Sequence, residues 1–370
     1  MRLIRTSAIG AVALTGALAF SACGSASNTD APAAGSGAAT STSATSCFSG
    51  SLSAAGSTAQ QNAFQQATSA YQGICPEAKV SYNGTGSGAG ITSFLANQID
   101  FAGSDSALNA DKGEPDKAKA SCGSEAWNLP MVTGPIAVSY NLKGVDKLVL
   151  TPDLIAKIFS GQITAWNDPA IAAKNSGATL PTTPISVFFR SDSSGTTDNF
   201  TNFMHTVAPS GWTAPHDKTW KGGVGQGKAQ SAGVSQALAA TDGGITYVEW
   251  SFAIQNKLSM AQIDSGSGPV ELTAESAAAA VGAAKVAGTG NDLALKIDYA
   301  TKASGAYPII LVTYEIVCSK YTDAAKGTKV KAFLTFLSSH AFQSTLTKVG
   351  SAPLPKEIQS KVQTAVAAIS

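Results

Sequence analysis

A short pattern recurs in the first third of the chain and constrains the fold more than any other feature. A strand ends in a loop of Gly, Ser and Thr, and a helix follows. Strands predicted at 47–55 and 78–82 lead into such loops and then into helices, and a strand at 99–102 leads into the loop that contains Asp105. Strands that alternate with helices are typical of an open, parallel α/β sheet. In such sheets ligands bind outside the carboxyl ends of the strands, where these loops lie.

A later stretch of the same kind adds a cation to the loop. Strand-forming residues at 185–189 end at Arg190, and apolar residues at helical spacing begin at Phe200. The start of a helix leaves backbone N–H groups without partners and carries the positive end of the helix dipole. A glycine, Gly195, flanked by hydroxyl residues and an arginine therefore predicts a cradle for a small oxyanion. This stretch alone leaves open the alternative of an ordinary capped helix after a polar turn.

The charge balance makes any such anion site a local feature. The chain has 370 residues, enough for two domains or one large one, and a formal net charge of +1. A near-neutral chain has no basic surface that would steer it to nucleic acid, so we expect no nucleic-acid partner.

The first residues predict export. Arg2 and Arg5 precede an apolar run at 8–20 that is too short to span a membrane comfortably, so we interpret residues 1–22 as a signal peptide. Cys23 follows small residues and resembles the acylated cysteine of a bacterial lipobox, although Phe20 stands where that motif usually has Leu. A plain secretory peptide with a chance cysteine is the alternative.

The segment after the signal peptide predicts a tether. Residues 24–46 are almost entirely Ser, Thr, Ala, Gly and Pro, a composition that cannot bury enough apolar surface to become ordered. We therefore expect 23–46 to be a lipidated cysteine followed by a disordered linker. Such a linker has a reach on the order of 25 Å, enough to hold a domain just off a membrane.

Two long apolar runs, at 129–140 and 308–318, divide the rest of the chain. Neither run alternates with polar residues, as expected for strands that are buried on both faces. They bracket a whole α/β unit, so we predict lobe I from 47–137 and 308–370 and lobe II from 138–307, joined by two crossing strands. A cleft between such lobes is a favoured place for a ligand.

Four cysteines remain beyond Cys23, and an even number in an exported chain predicts two disulfides with three possible connectivities. All four fall in lobe I, and the strand layout favours two pairs, Cys47 with Cys75 and Cys122 with Cys318. The chain has no C-x-x-C pair, so we expect neither a metal site nor thioredoxin-like chemistry.

In order and spacing, the loop motifs closely resemble those of the phosphate-binding proteins of bacterial Pst-type ABC transporters, the PstS family. The similarity extends to 161–171 and 244–249, and its main motifs are Gly56-Ser57-Thr58, Gly84-Thr85-Gly86-Ser87-Gly88, Phe101-Ala102-Gly103-Ser104-Asp105 and Arg190-Ser191-Asp192-Ser193-Ser194-Gly195-Thr196. The resemblance implies a type II periplasmic-binding-protein fold, without cofactor or catalysis, that binds inorganic phosphate with high affinity. It also implies a monomer, anchored to the outer face of the cell membrane through Cys23, that delivers phosphate to a permease and its ATPase.

The resemblance also assigns the phosphate contacts. Carried over position by position, they fall on Thr58, Ala59, Ser87, Asp105, Arg190, Ser194, Gly195 and Thr196. Ala59 replaces an aromatic residue of some relatives, but the family uses the backbone N–H at this position. Asp192 matches an acidic residue that pairs with the binding arginine.

Asp105 is the residue predicted to select phosphate over sulfate. A carboxylate that faces an anion repels it unless the anion holds a proton that the carboxylate can accept. Phosphate near neutral pH retains a proton and sulfate does not, so Asp105 should admit phosphate and reject sulfate, whereas arsenate should not be excluded well. A simple turn aspartate is the alternative.

Other sequence patterns suggest alternative functions. Residues 84–89 fit a relaxed dinucleotide-binding fingerprint, but the export signal argues against a nicotinamide cofactor. Residues 222–229 resemble a P-loop but lack the final Ser or Thr and a preceding apolar strand, so we predict a glycine-rich surface loop. An exported phosphatase, or a binder of another tetrahedral oxyanion, is the remaining alternative. The three histidines are scattered, which disfavours the phosphatase.

Overall fold

The structure, a computed structural model, describes residues 45–282 and 284–370. The predicted signal peptide, Cys23 and the predicted tether up to residue 44 lie outside the described residues. In the part that is described, no helix has the length and apolar character needed to cross a membrane.

Strands and helices alternate along most of the chain, as the sequence predicts. The strands are β1 (Gly50–Gly56), β2 (Ala78–Gly84), β3 (Phe101–Ser104), β4 (Ala126–Asn141), β5 (Val149–Leu150), β6 (Ser186–Arg190), β7 (Gln226–Lys228), β8 (Gly244–Glu249), β9 (Ser259–Met260), β10 (Gln262–Asp264), β11 (Pro269–Val270), β12 (Lys285–Val286), β13 (Leu295–Lys296) and β14 (Ile310–Cys318). The helices are α1 (Gln61–Ile74), α2 (Ser87–Leu95), α3 (Glu114–Cys122), α4 (Pro152–Phe159), α5 (Pro169–Lys174), α6 (Gly195–Val207), α7 (Gln230–Ala239), α8 (Trp250–Gln255), α9 (Ala274–Val281), α10 (Ala324–Leu337), α11 (His340–Gln343) and α12 (Lys356–Ala367).

One mixed sheet organises these elements, with strand order β2-β1-β3-β14-β4-β8-β6-β7 and β9 beside β4. The flanking parts are parallel as predicted, since β1 runs parallel to β2 and β3, and β6 to β7 and β8. The centre is antiparallel, which the sequence analysis did not specify. The chain leaves the first group of strands along β4 and returns along β14, so these two strands must run in opposite directions.

Strand β4 links the two groups of strands. Residues 126–135 pair with β14, and residues 136–141 pair with β8. The strand is buried from Asn128 to Tyr140, which explains why its sequence lacks alternation.

The buried apolar side chains form two large clusters. The first contains residues from β1, β3, α1, α10 and α12, and the second contains residues from α4, α6 and β8. One segment departs from the predicted division, because Leu293 and its neighbours pack on the first cluster although 138–307 was assigned to lobe II. Hydrogen bonds hold it there: Asp292 Oδ1 accepts from the backbone and side-chain amides of Asn128, and Tyr314 Oη accepts from the Leu295 N–H.

Both favoured disulfides form. Cys47 pairs with Cys75, which ties the start of β1 to the end of α1, and Cys122 pairs with Cys318, which ties the end of α3 to the end of β14. By restricting the unfolded chain, such bridges each typically stabilise a domain by about 2–4 kcal/mol.

The glycine-rich stretch at 222–229 is not entirely the surface loop that the sequence predicts. Residues Gln226–Lys228 form β7, an edge strand parallel to β6. The strand is short, polar and largely exposed, so it lacks the apolar pattern by which strands are recognised.

Candidate functional site

Loops from several strands of the sheet meet at one buried place. Those after β1, β2 and β3 come from one group of strands, and those after β6 and β7 from the other. The assigned phosphate contacts are all buried, with side-chain-bearing members at most 3% exposed: Thr58, Ala59, Ser87, Asp105, Arg190, Ser194, Gly195 and Thr196.

Helix α6 brings three of these residues to the centre. Ser194 is its N-cap, with the hydroxyl accepting from the Thr197 N–H, and this agrees with the predicted helix start. Its apolar face, which includes Phe200 and Phe203, is fully buried, so the helix start is held firmly in place. The first turn therefore directs the positive end of the dipole at the site, where the Gly195 N–H donates to the Ser87 hydroxyl.

Gly195 lies too close to the opposite loops for any side chain. A Cβ atom added there would lie 2.6 Å from both Asp105 Cβ and Ser87 Oγ. The Ser87 hydroxyl joins the three loops, since it accepts from the N–H groups of Gly195 and Asp105, both at 3.2 Å, and donates to Asp105 Oδ2 at 3.2 Å.

Arg190 is 2% exposed and held by Asp192. Its Nε and Nη2 atoms donate to the two oxygens of Asp192, which leaves Nη1 directed at Ser231 Oγ, 3.1 Å away, and Thr196 Oγ1. Burial alone would lower the pKa of Arg190, but the hydrogen bonds and charge of Asp192 outweigh it and raise that pKa. The guanidinium is thus permanently charged and fixed in orientation.

Asp105 is a buried carboxyl group that is 3% exposed. Burial raises its pKa to about 6, although hydrogen bonds from Ser57 and Thr313 oppose the rise. Both hydroxyls donate to Oδ1, at 2.5 and 2.7 Å. A carboxyl group with such a pKa can accept a proton from a ligand near pH 7.

Ala59 is placed differently from its assigned role. Its backbone N–H donates to Ser57 Oγ at 3.0 Å, and its methyl group belongs to the second apolar cluster. In this structure the N–H therefore already has a partner within its own turn.

Ser231, on α7, is a site residue that was not predicted from the sequence. Its hydroxyl shares a hydrogen bond of 2.6 Å with Thr58 Oγ1 and accepts from Arg190 Nη1, so it joins both groups of loops. The turn before it is fixed because the Gln230 N–H donates to Asp192 Oδ1. The strand before this turn, β7, is polar, so no apolar pattern in the sequence marked Ser231 as a site residue.

Glu249 was also not predicted as a site residue, although its position at the end of a strand is a usable sequence signal. It ends the apolar strand β8, and a charged residue at the carboxyl end of such a strand is a candidate ligand contact. Glu249 is 1% exposed, its Oε1 accepts from the Thr196 hydroxyl and lies 3.8 Å from Arg190 Nη1, and its Oε2 has no hydrogen-bond partner among the described residues.

Within residues 45–282 and 284–370, no cluster of three or more His, Cys, Asp or Glu side chains could hold a metal ion. The site instead combines hydroxyls, backbone N–H groups and one guanidinium with two buried carboxyl groups. Such a donor set fits a small tetrahedral anion that carries a proton.

Comparison with known proteins identifies the family. Residues 27–340 match the model of a PBP superfamily domain. Along their full lengths, the chain is 48% identical to the phosphate-binding protein PstS 2 of Mycobacterium tuberculosis over 375 residues and 46% identical to PstS 3 of the same species over 374. The chain belongs to the PstS family. These relatives are named as binding proteins, which confirms the prediction of a binding protein rather than an enzyme.

Solved structures confirm the fold predicted from the PstS resemblance. A high-affinity periplasmic phosphate-binding protein, PfluDING, solved with phosphate, is 27% identical with a TM-score of 0.70, and the match covers 85% of this PstS chain and 93% of that protein. A phosphate-binding protein of Stenotrophomonas maltophilia is 21% identical with a TM-score of 0.67, over 85% and 94% of the two chains, and shows the shared fold alone.

Proposed function

We propose that this PstS-family protein binds one inorganic phosphate in the buried site, outside the cytoplasm and with high affinity. The observation that carries the proposal is the arrangement of Arg190, Gly195 and Asp105, in which a fixed cation, a helix start and a proton acceptor face the same place. Burying a dianion is costly unless donors saturate its oxygens, and these loops supply such donors. We assign the contacts to Thr58, Ala59, Ser87, Asp105, Arg190, Ser194, Gly195 and Thr196, with Asp192 holding the arginine.

Two assigned backbone contacts must change partner on binding. The Ala59 N–H can reach phosphate only if it leaves Ser57 Oγ, to which it donates at 3.0 Å, and the Gly195 N–H only if it leaves Ser87 Oγ, to which it donates at 3.2 Å. Ser231 joins the assigned set, because its hydroxyl bridges Thr58 and Arg190 at the centre of the site.

The proposed basis of selectivity is the proton of the ligand. At neutral pH hydrogen phosphate can donate that proton to the Asp105 carboxylate, whereas sulfate has none to donate and leaves two like charges in contact. The pKa of about 6 supports this role, because Asp105 is then mostly ionised at pH 7 and able to accept.

We further propose that the two lobes close over phosphate and open to release it. The paired clusters of buried side chains support two lobes, with the segment around Leu293 moved to lobe I. Contacts that join the lobes would form on closure: Thr58 with Ser231, Ser87 with the Gly195 N–H, and the Gly88 N–H with Ser193 O at 3.0 Å. Rigid-body closure about a few connecting residues is the usual motion of such proteins.

The protein would deliver phosphate to a permease and its ATPase. It would be anchored to the membrane at Cys23, with residues 24–46 as the tether. Relatives named PstS and the periplasmic source stated for PfluDING support an extracytoplasmic location. The lipid anchor rests on the sequence around Cys23 and is tested by mass measurement of the membrane-associated protein.

A calorimetric titration tests the binding function. We expect one tight site per chain for phosphate, competition by arsenate, no tight binding of nicotinamide nucleotides and no turnover of a chromogenic phosphate ester. Turnover of the ester would favour the exported phosphatase instead, and failure to bind phosphate would refute the proposal.

A further inference from the structure

Glu315 is a buried carboxyl group that the proposed phosphate site does not use. It lies in β14, is fully buried, and neither of its carboxyl oxygens has a hydrogen-bond partner among the described residues. The strand register pairs it with Gly103 of β3, two positions before Asp105. Because the side chains of directly paired residues lie on the same face of a sheet, the Glu315 side chain extends over Gly103.

Gln60 and Tyr82 occupy the space over Gly103. A Cβ atom added at Gly103 would lie 2.3 Å from Gln60 Nε2 and 2.4 Å from Tyr82 Oη. Gln60 is also fully buried, and its Nε2 donates to Tyr82 Oη at 3.1 Å, whereas its Oε1 has no partner among the described residues. Together with Glu315, this cluster therefore holds three unpartnered oxygens that can all accept a hydrogen bond.

A proton on Glu315 relieves this shortage of donors. A buried carboxylate without partners is costly, whereas a neutral carboxylic acid has an O–H that can donate to Gln60 Oε1. Burial raises the pKa of Glu315 well above its usual value, the Gln60 amide opposes this rise, and the charge of Asp105 adds to it. The other ionisable group that faces Glu315 is the Tyr82 hydroxyl. The neighbouring strands β3 and β4, and helix α1 after Gln60, contain no acidic or basic side chain.

The cluster reaches the phosphate site through Ser57. The Tyr82 hydroxyl donates to Ser57 O at 2.7 Å, and the Ser57 hydroxyl donates to Asp105 Oδ1 at 2.5 Å. A hydrogen bond to a carboxylate favours its ionised form. Burial is the larger influence and raises the pKa of Asp105, while the Ser57 hydroxyl lowers it. A contact that holds Ser57 in place therefore helps to keep Asp105 ionised at neutral pH.

We propose that Glu315, as the neutral acid, is a positioning residue for the selection of phosphate over sulfate. Its O–H donates to Gln60 Oε1 and fixes the amide that holds Tyr82. The Tyr82 hydroxyl in turn holds Ser57 against Asp105. Glu315 thus acts through other residues rather than by touching the ligand. The inference rests on the proposed function and deepens it, because it adds a group outside the site that controls the Asp105 carboxylate.

The pH dependence of sulfate competition tests this role. Sulfate should displace phosphate more weakly as Asp105 ionises, so the pH above which its inhibition constant rises reports the Asp105 proton. Glu315→Met keeps a side chain of similar length but removes the donor. We expect this pH to rise by roughly one unit, so that sulfate competes about tenfold better at pH 8, as for the loss of one hydrogen bond to a charged group. Tyr82→Phe breaks the same chain nearer to Ser57 and should produce the same shift.

Two further variants separate positioning from general packing. Glu315→Gln keeps an N–H donor for Gln60 Oε1 and should restore the pH dependence of the wild type. Val317→Ala removes fully buried apolar volume two residues along β14, so it should lower the melting temperature without moving the pH dependence of sulfate competition.

The proposal is overturned if Glu315→Met or Tyr82→Phe keeps the wild-type pH dependence, or if Glu315→Gln or Val317→Ala shifts it as much as Glu315→Met. A shift to lower pH in both Glu315 variants would also overturn it, because the wild-type carboxyl group would then be ionised. So would a wild-type inhibition constant that does not change with pH. Calorimetric titration of the wild type with phosphate separates these failures from failure of the proposed function, which alone predicts that phosphate binds.

Discussion

If Asp105 decides between phosphate and sulfate, sulfate rejection must fade as Asp105 becomes protonated. Burial raises the pKa of this carboxyl group to about 6. Roughly 1% of it is then protonated at pH 8 and about 90% at pH 5, so a ligand that requires the neutral form gains about 100-fold in apparent affinity over this range. Asp105→Asn mimics the neutral form at every pH and should accept sulfate throughout.

The assay is competition, in which sulfate displaces phosphate from the tight site and its inhibition constant is followed from pH 8 to pH 5. Competition reports the tight site alone. In the wild type, the inhibition constant of sulfate should fall about 100-fold from pH 8 to pH 5. In Asp105→Asn it should be low and nearly independent of pH. Asp242→Asn, which alters an exposed carboxylate paired with Lys143, should behave as the wild type. An inhibition constant of sulfate that does not change with pH and is equal in the wild type and Asp105→Asn would refute the reasoning.

Three further substitutions test the packing of the site and its surroundings. Arg190→Ala leaves Asp192 without its ion-pair partner and removes the fixed cation, so phosphate affinity measured by calorimetry should fall roughly 100-fold or more, since truncating one partner of a buried, hydrogen-bonded charge pair in a binding site costs about 2–5 kcal/mol. Gly195→Ala places a methyl group 2.6 Å from Asp105 Cβ and should weaken phosphate binding at least about tenfold while the fold persists by circular dichroism. Glu315 is fully buried without a hydrogen-bond partner among the described residues, and burial raises its pKa well above the usual value. The folded state then favours the neutral acid, so its stability falls as pH rises above the ordinary Glu pKa of 4.5. Glu315→Gln should therefore raise the melting temperature at pH 7 and flatten this decline.

Each of these expectations can fail in a specific way. Retained phosphate affinity in Arg190→Ala would remove the arginine from the site. Normal binding by Gly195→Ala would mean that the loops are farther apart than described. A Glu315→Gln variant that melts at a lower temperature than the wild type at pH 7 would show that the ionised carboxylate stabilises the fold.

The predictable parts of the structure are those with strong local signals. Helix α6 combines a Ser N-cap with a buried apolar face, so its start could be located from sequence. Strand β4 could be recognised as buried because its apolar run is long and unbroken. The cysteine pairs followed from placing both members of each pair on neighbouring elements.

The parts that escaped prediction depend on contacts between distant segments. Ser231 reaches the site only because the chain turns at Gln230, directly after the polar edge strand β7. Gln230 has a positive φ of 62°, and no local sequence pattern predicts this conformation. The segment around Leu293 joins the first cluster through Asp292 and Asn128, which lie 164 positions apart. Glu249 had a usable signal at the end of β8, and the rule for strand ends would have found it.

A structure of the protein crystallised with phosphate near pH 7 tests the central claim most directly. The account predicts one phosphate enclosed between the loops, with Arg190 Nη1 and the Gly195 N–H on its oxygens. One oxygen should lie roughly 2.5–2.7 Å from an Asp105 carboxylate oxygen, the spacing of a proton shared with a carboxylate. Phosphate bound elsewhere, or bound here with the Asp105 carboxylate turned away from it, would contradict the account.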